Sequence, residues 1–201
     1  MDQQTQFAFR PRRRRRSPEE ARTLALARAR ELLIENGPDG VTLQAIAREI
    51  GVTHGTLLHH FGSAGALQSA LMAAMVKDLT AALATAVVHV RSDNGARRTV
   101  VDIVFDAFGE GGAGHLAAWI ALSNRYEHLE PVREAVGELV EALDEKVRAV
   151  PGAPRHIPSA LLFITLCAFG EAVIGGPLHD MLGRDRDSSR RLATRLLPTF
   201  L

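Results

Sequence analysis

The stretch that decides the fold is residues 41–61, VTLQAIAREIGVTHGTLLHHF. It divides at Gly51. Ahead of that glycine, Leu43, Ile46, Ala47 and Ile50 recur at helical spacing. Thr42 stands where a hydroxyl accepts from an unpaired backbone N–H of the first turn. Gly51 takes a left-handed backbone without penalty and so ends the helix, and Val52 returns to the core. Thr53 caps a second helix running through Leu57 to about His60. Ala47, four residues before Gly51, is small enough to let the second helix cross closely above the first. A small residue, a glycine and an apolar plug form the pattern of a helix-turn-helix, which holds its second helix out to enter the major groove of DNA.

The pattern extends on both sides. Ala25, Leu26, Ala29, Leu32 and Leu33 lead to Gly37; Thr42, Ile46, Ala47, Gly51 and Val52 follow; Gly55-Thr56-Leu57, His60-Phe61-Gly62-Ser63 and Leu67 complete it. In residue types and spacing this first third of the chain resembles the TetR-type bacterial transcriptional regulators. The resemblance implies a dimer whose last two long helices pair across a two-fold axis as a four-helix bundle. It also implies a linking helix whose tilt reports ligand binding, and a phosphate contact from His60. Two positions depart from the family pattern: Leu58 stands where a tyrosine is usual and Ala64 where a lysine is usual, and both usual residues touch DNA phosphates.

The 201 residues suit one or two domains and can bury a core without disulfides. Hydrophobic content of 46% with few aromatics points to an all-helical fold. The net charge of +1 hides an asymmetry: Arg10 and Arg12, Arg13, Arg14, Arg15 and Arg16 crowd the amino-terminal arm, while the remainder is slightly acidic. Cys167 is the only cysteine, which fits a reducing cytoplasm and excludes an internal disulfide. The arginines run into Ser17-Pro18-Glu19-Glu20 rather than an apolar segment, which argues against a secretory signal.

Taken in order, residues 1–16 read as a disordered basic arm that lies along DNA and neutralises phosphate. The plainer reading is a solvated tail. Residues 17–62 read as the three-helix DNA-binding domain, opened by the capping box of Ser17 and Glu20 with Pro18 in the first turn. Residues 63–201 read as a ligand-binding and dimerisation domain. Its first helix runs from Ala64 to about Val90, with Leu67, Leu71, Met75, Leu79 and Leu83 on one face. Further helices are expected at about Arg97–Phe108, Ala113–Tyr126, Pro131–Val150, Pro158–Ile174 and Arg184–Leu197. Gly109-Glu110-Gly111-Gly112, Pro151-Gly152-Ala153-Pro154 and Gly175-Gly176-Pro177 are expected to separate them. The apolar run from Ile157 stops about a dozen residues on at Glu171, short of the roughly 20 a membrane span needs, so it reads as a helix sandwiched between its own domain and a second subunit.

The predicted DNA contacts are Thr42 and Gln44 at the positive end of the first motif helix, then Thr53, His54, Gly55, Thr56, His59 and His60, with the arm arginines. Leu57 and Phe61 read as core. Leu58 is either buried or set against a thymine methyl. The three histidines invite a metal reading, but adjacent His59 and His60 diverge by about 100° on a helix, and no cysteine or carboxylate completes a ligand set. No metal or cofactor is expected. The predicted effector pocket gathers Met72, Met75, Phe105, Phe108, His115, Trp119, Asn124 and Tyr126, a composition that a ligand site and an ordinary core share.

No nucleophile elbow, phosphate loop or dinucleotide fingerprint is present, so no enzyme is expected. The expected function is a cytoplasmic, homodimeric, ligand-responsive regulator that a small apolar effector releases from a palindromic operator, a repressor by resemblance. The alternative is a helical small-molecule-binding or scaffold protein with weak or lost DNA binding.

Overall fold

Ser17 starts the first helix with a reciprocal pair of bonds. Its Oγ accepts from the Glu20 N–H at 3.1 Å, and its own N–H donates to Glu20 Oε2 at 2.8 Å, the expected capping box. Helix α1 (Pro18–Asn36) buries Ala21, Ala25, Ala29, Leu32 and Leu33. A 3-10 turn at Pro38–Gly40 leads to α2 (Leu43–Ile50) and α3 (His54–Phe61). The computed structural model describes residues 17–87, 93–123, 128–148 and 156–200. It continues with α4 (Ala64–Ala86), α5 (Asn94–Phe108), α6 (Ala113–Leu122), α7 (Glu130–Arg148), α8 (Ile157–Gly170), α9 (Gly176–Leu182) and α10 (Ser188–Leu196). The described residues contain no strand.

Two hydrophobic clusters form, and α4 passes through both. The first joins Leu32, Ile46, Leu57 and Phe61 of α1–α3 to Leu67 and Leu71 of α4 and to Leu116 and Ile120 of α6. The second joins Leu83 of α4 to Val101 and Phe105 of α5, Leu139 of α7, Ile164 of α8 and Leu197 at the chain's end. The core of the amino-terminal unit therefore does not stop at Gly62; α6 completes it. Glycines make this possible. A Cβ on Gly112, which has φ +79°, would meet the Leu33 side chain at 3.1 Å.

Three expectations need correction. Helix α5 begins at Asn94, earlier than expected, because Asp93 caps it by accepting from the Gly95 N–H at 2.8 Å. The last helix begins at Ser188 rather than Arg184. Most consequentially, Gly175-Gly176-Pro177 does not break the chain. The helix widens into a π-turn at Glu171–Gly175 and resumes as α9. Pro177 falls in the first turn of α9, where its missing N–H is tolerated just past the register shift. A Cβ on Gly175 would lie 2.5 Å from Glu171 Cδ. The bare glycine leaves that carboxylate room to reach buried His179, with Oε2 3.2 Å from Nε2.

The continuous helix Ile157–Leu182 is thus long and apolar enough to cross a membrane by length and composition, as is Ala64–Ala84. The length argument against a span does not hold. Instead, half of the 64–84 window is buried inside the protein, against 22% of the 157–182 window.

The end of the chain is tied back by charge. Arg98 on α5 pairs with Asp102 on its own helix at 2.8 Å and with Asp187 before α10 at 2.6 Å. Arg190 reaches back to Asp102 at 3.0 Å and Asp106 at 2.6 Å. The Arg98 hydrogen bond holds the Asp187 carboxyl below its usual range, against the opposing effect of burial. The bond from Arg191 does the same for Asp185.

Candidate nucleic-acid interface

The reading head is set by three caps and one left-handed glycine. Thr42 accepts from the Ala45 N–H at 3.1 Å and starts α2. Gly51 ends it at φ 69°, ψ 40°, in the left-handed region, and the Val52 N–H donates to the Ala47 carbonyl at 3.0 Å. Thr53 then accepts from the Thr56 N–H at 3.2 Å and starts α3. Ser63 starts α4 in the same way, accepting from the Ala66 N–H at 3.0 Å. Buried Gln68 donates to the Val41 carbonyl at 3.3 Å and ties α4 to the segment before α2.

One face of α3 is sunk and the other is free. Leu57 and Phe61 are buried in the first cluster. Thr53, His54, Gly55, Leu58 and His59 are exposed, Thr56 and His60 are half-buried, and Thr42 and Gln44 are exposed at the start of α2. The alternatives for Leu58 resolve toward the surface, at 43% exposure. A Cβ on Gly55 would meet only Thr53 Oγ1, at 3.8 Å. Nothing inside the protein requires glycine there. Among the described residues no group of three potential metal ligands occurs. Arg12 to Arg16 lie outside the described residues.

The predicted effector set is not brought together. Met72 and Met75 belong to the first cluster, and Phe105, with Phe108 against it, to the second. His115 and Trp119 are exposed on α6, Trp119 at 37%. Their i, i+4 spacing puts both on the helix face turned away from buried Leu116 and Ile120. Asn124 and Tyr126 lie outside the described residues.

Residues 25–71, from the middle of α1 to the first turns of α4, match the family model of bacterial regulatory proteins of the TetR family. Over this amino-terminal stretch the chain is similar to the TetR family. No curated protein matches the chain. Among solved structures, a protein of unknown function from Rhodococcus sp. RHA1 is similar at 24% identity and TM-score 0.63, over 96% of this chain and 99% of that one. A candidate TetR-family transcriptional regulator from Mesorhizobium loti MAFF303099 is similar at 15% identity and TM-score 0.57, over 93% and 98% of the two chains. Another from Shewanella sp. PV-4 matches at 18% and 0.53, over 89% and 96%. These likenesses extend the TetR-like fold across nearly the whole chain. The match over residues 25–71 supports a DNA-binding transcriptional regulator.

Two contributors to this amino-terminal domain escaped the sequence reading. Arg22 of α1 donates to the His60 carbonyl at 3.2 Å. His128, ahead of α7, places Nε2 3.2 Å from Ser63 Oγ, the cap of α4. Neither contact has a sequence signal, because each joins residues far apart in the chain.

Proposed function

We propose that the protein is a cytoplasmic homodimeric repressor that a small apolar effector releases from an operator of near two-fold symmetry. The exposed face of α3 supports the DNA half of this reading. Thr53 and Thr56 bond each other at the start of α3, and with His54, Gly55, Leu58 and His59 they line its outer face. In this reading α3 enters the major groove. His60, Thr42 and Gln44 hold phosphates, and the arginines of residues 12–16 add charge along the backbone. The two half-sites lie about one helical turn, or somewhat more, apart.

Dimerisation is supported by a group among the exposed apolar residues of the single chain: Leu162, Leu166, Ile174, Met181, Leu182 and Leu192. They lie on the last two helical units, as a self-complementary two-fold interface requires.

The effector would enter the second cluster. There Leu83, Val104, Leu143, Ile164 and Leu197 surround an apolar void of about 30 Å³. That is room for about one water and not for a drug-sized ligand. An effector must therefore part α4 and α5 from α7 and α8. A ligand that binds only the parted form shifts the population toward it, and α4 carries the change to the reading head.

The test is to present the full-length protein with a randomised duplex library and sequence what it retains. A two-fold sequence bound by the wild type and lost in Leu58→Glu, which puts a carboxylate against the duplex at an exposed site, supports the reading. Retention of no sequence above background would sink it in favour of the helical binding or scaffold alternative.

A further inference from the structure

From Ile50 to Val76 the chain contains no Asp, Glu, Lys or Arg. This span holds the turn of the motif, all of α3 and the first half of α4. Its only side chains able to carry charge near neutral pH are His54, His59 and His60. A surface meant for a polyanion here carries imidazoles in place of fixed cations. Resting on the DNA-binding reading above, we propose that these histidines make operator binding a proton-coupled event: DNA binds the imidazolium form, takes up protons as it docks, and is released as pH rises.

The surroundings leave the three rings free for this. His54 and His59 are exposed and His60 is half-buried. The His59 and His60 ring centroids are 5.9 Å apart. Among the described residues no ion pair involves any of the three. The charged groups of the neighbouring helices are occupied or distant in sequence. On α1, Arg22 is turned to the His60 carbonyl and lies over the Phe61 ring at 4.7 Å. Glu20 is held by the Ser17 N–H, and Glu19 is exposed beside it. On α2, Glu49 lies 3.5 Å from Arg28 and 3.8 Å from Arg48. Helix α4 brings no charged residue before Lys77. Ser63 at its cap faces the His128 ring. Among the described residues no carboxylate is bonded to His54, His59 or His60, so the anion that would pair with their protonated forms comes from outside.

Histidine is the side chain whose charge changes between pH 5 and 8. A phosphate contact pays most when the ring is charged, so binding and protonation favour each other. Each proton fully taken up costs about tenfold in affinity per pH unit of rise. The effect adds to the fixed charge of Arg12 to Arg16, which does not titrate in this range.

The test measures the dissociation constant of the full-length protein for a duplex selected from a randomised library at about pH 6, then at about pH 8, each over a salt series. The constant should rise at least about tenfold between the two, and the logarithmic salt slope should be shallower at the higher pH. His59→Lys, which fixes a cation on the exposed face, should flatten the pH dependence. The triple change of His54, His59 and His60 to Gln should bind at the lower pH no better than wild type at the higher one. Circular dichroism of each variant at both pH values verifies the fold. Tight binding that is equal at both pH values, or a pH dependence that survives the triple change, overturns this inference and leaves the DNA-binding reading standing. Retention of no duplex at either pH overturns that reading, and this inference with it.

Discussion

Arg22 and His60 are joined across the first and third helices: Arg22 Nη1 donates to the His60 carbonyl at 3.2 Å, while its guanidinium carbon lies 4.7 Å from the centre of the Phe61 ring. One contact satisfies a carbonyl that a helix end leaves without a partner. It also sets a cation at the negative end of the α3 dipole. Arg22→Ala should lower stability by about 1–2 kcal/mol and weaken DNA binding several-fold through loss of α3 orientation. Urea denaturation and a binding isotherm measure the two. Arg22→Lys keeps the charge but not the planar stack, and should recover less than half of either loss.

The amino-terminal half of the fold was legible because its signals are local. Ser17 with Glu20, Thr42 with Ala45, Gly51, and Thr53 with Thr56 each act within four residues, and each sits where the sequence puts it. The reading weakened where one helix had to be judged against another. Gly175-Gly176-Pro177 carries every local mark of a break, yet a π-turn absorbs the proline. Trp119 and His115 looked like pocket residues by type, but the packing of α6 on Leu116 and Ile120 turns them outward. A single-sequence pattern gives the faces of a helix and not which face its neighbours take.

Gly114 crosses the π-turn at a distance that allows no side chain. A Cβ there would lie 2.5 Å from the Ala172 Cβ and 2.9 Å from the Phe108 carbonyl oxygen. Gly→Ala inside a helix ordinarily gains about 1 kcal/mol from propensity. Here both obstacles are fixed to backbone, so the helices must part. Gly114→Ala should destabilise by roughly 1–3 kcal/mol. Adding Ala172→Gly should restore part of the loss, so that the double variant is more stable than the sum of the single changes. Additive losses in denaturant melts would show that the two positions do not touch.

The ion network of α5 and α10 makes a signed prediction with pH. Asp187 is held below the usual carboxylate range by the hydrogen bond from Arg98, and Asp185 by that from Arg191. A lowered carboxyl stabilises the fold above its ordinary value near 4 and loses that contribution as pH falls through the lowered one. The Arg98 and Asp187 side chains are 36% and 41% exposed. Water therefore screens the pair, and Arg98→Ala should cost roughly 1 kcal/mol at pH 7. The gap between wild type and variant should close as pH falls through the lowered value of Asp187 and the carboxyl protonates. A gap that stayed constant in acid would assign it to the lost packing of the arginine stem.

Leu166 on α8 and Leu192 on α10 are 60% and 54% exposed in the single chain. Both border a groove of about 230 Å³ whose other walls include Ile174, Leu178 and Leu196. A stripe of this kind on a water-facing surface is what a second copy would cover. A charge placed in its middle would be buried without a partner in the dimer and harmless in the monomer. Leu166→Glu should therefore sediment as a monomer at micromolar concentration while keeping its helix content and the stability of the single subunit. It should also lose most of its affinity for a two-fold site, since one reading head alone holds a half-site. A variant that stays dimeric in the ultracentrifuge would remove this face from the interface and place the two-fold axis elsewhere on the molecule.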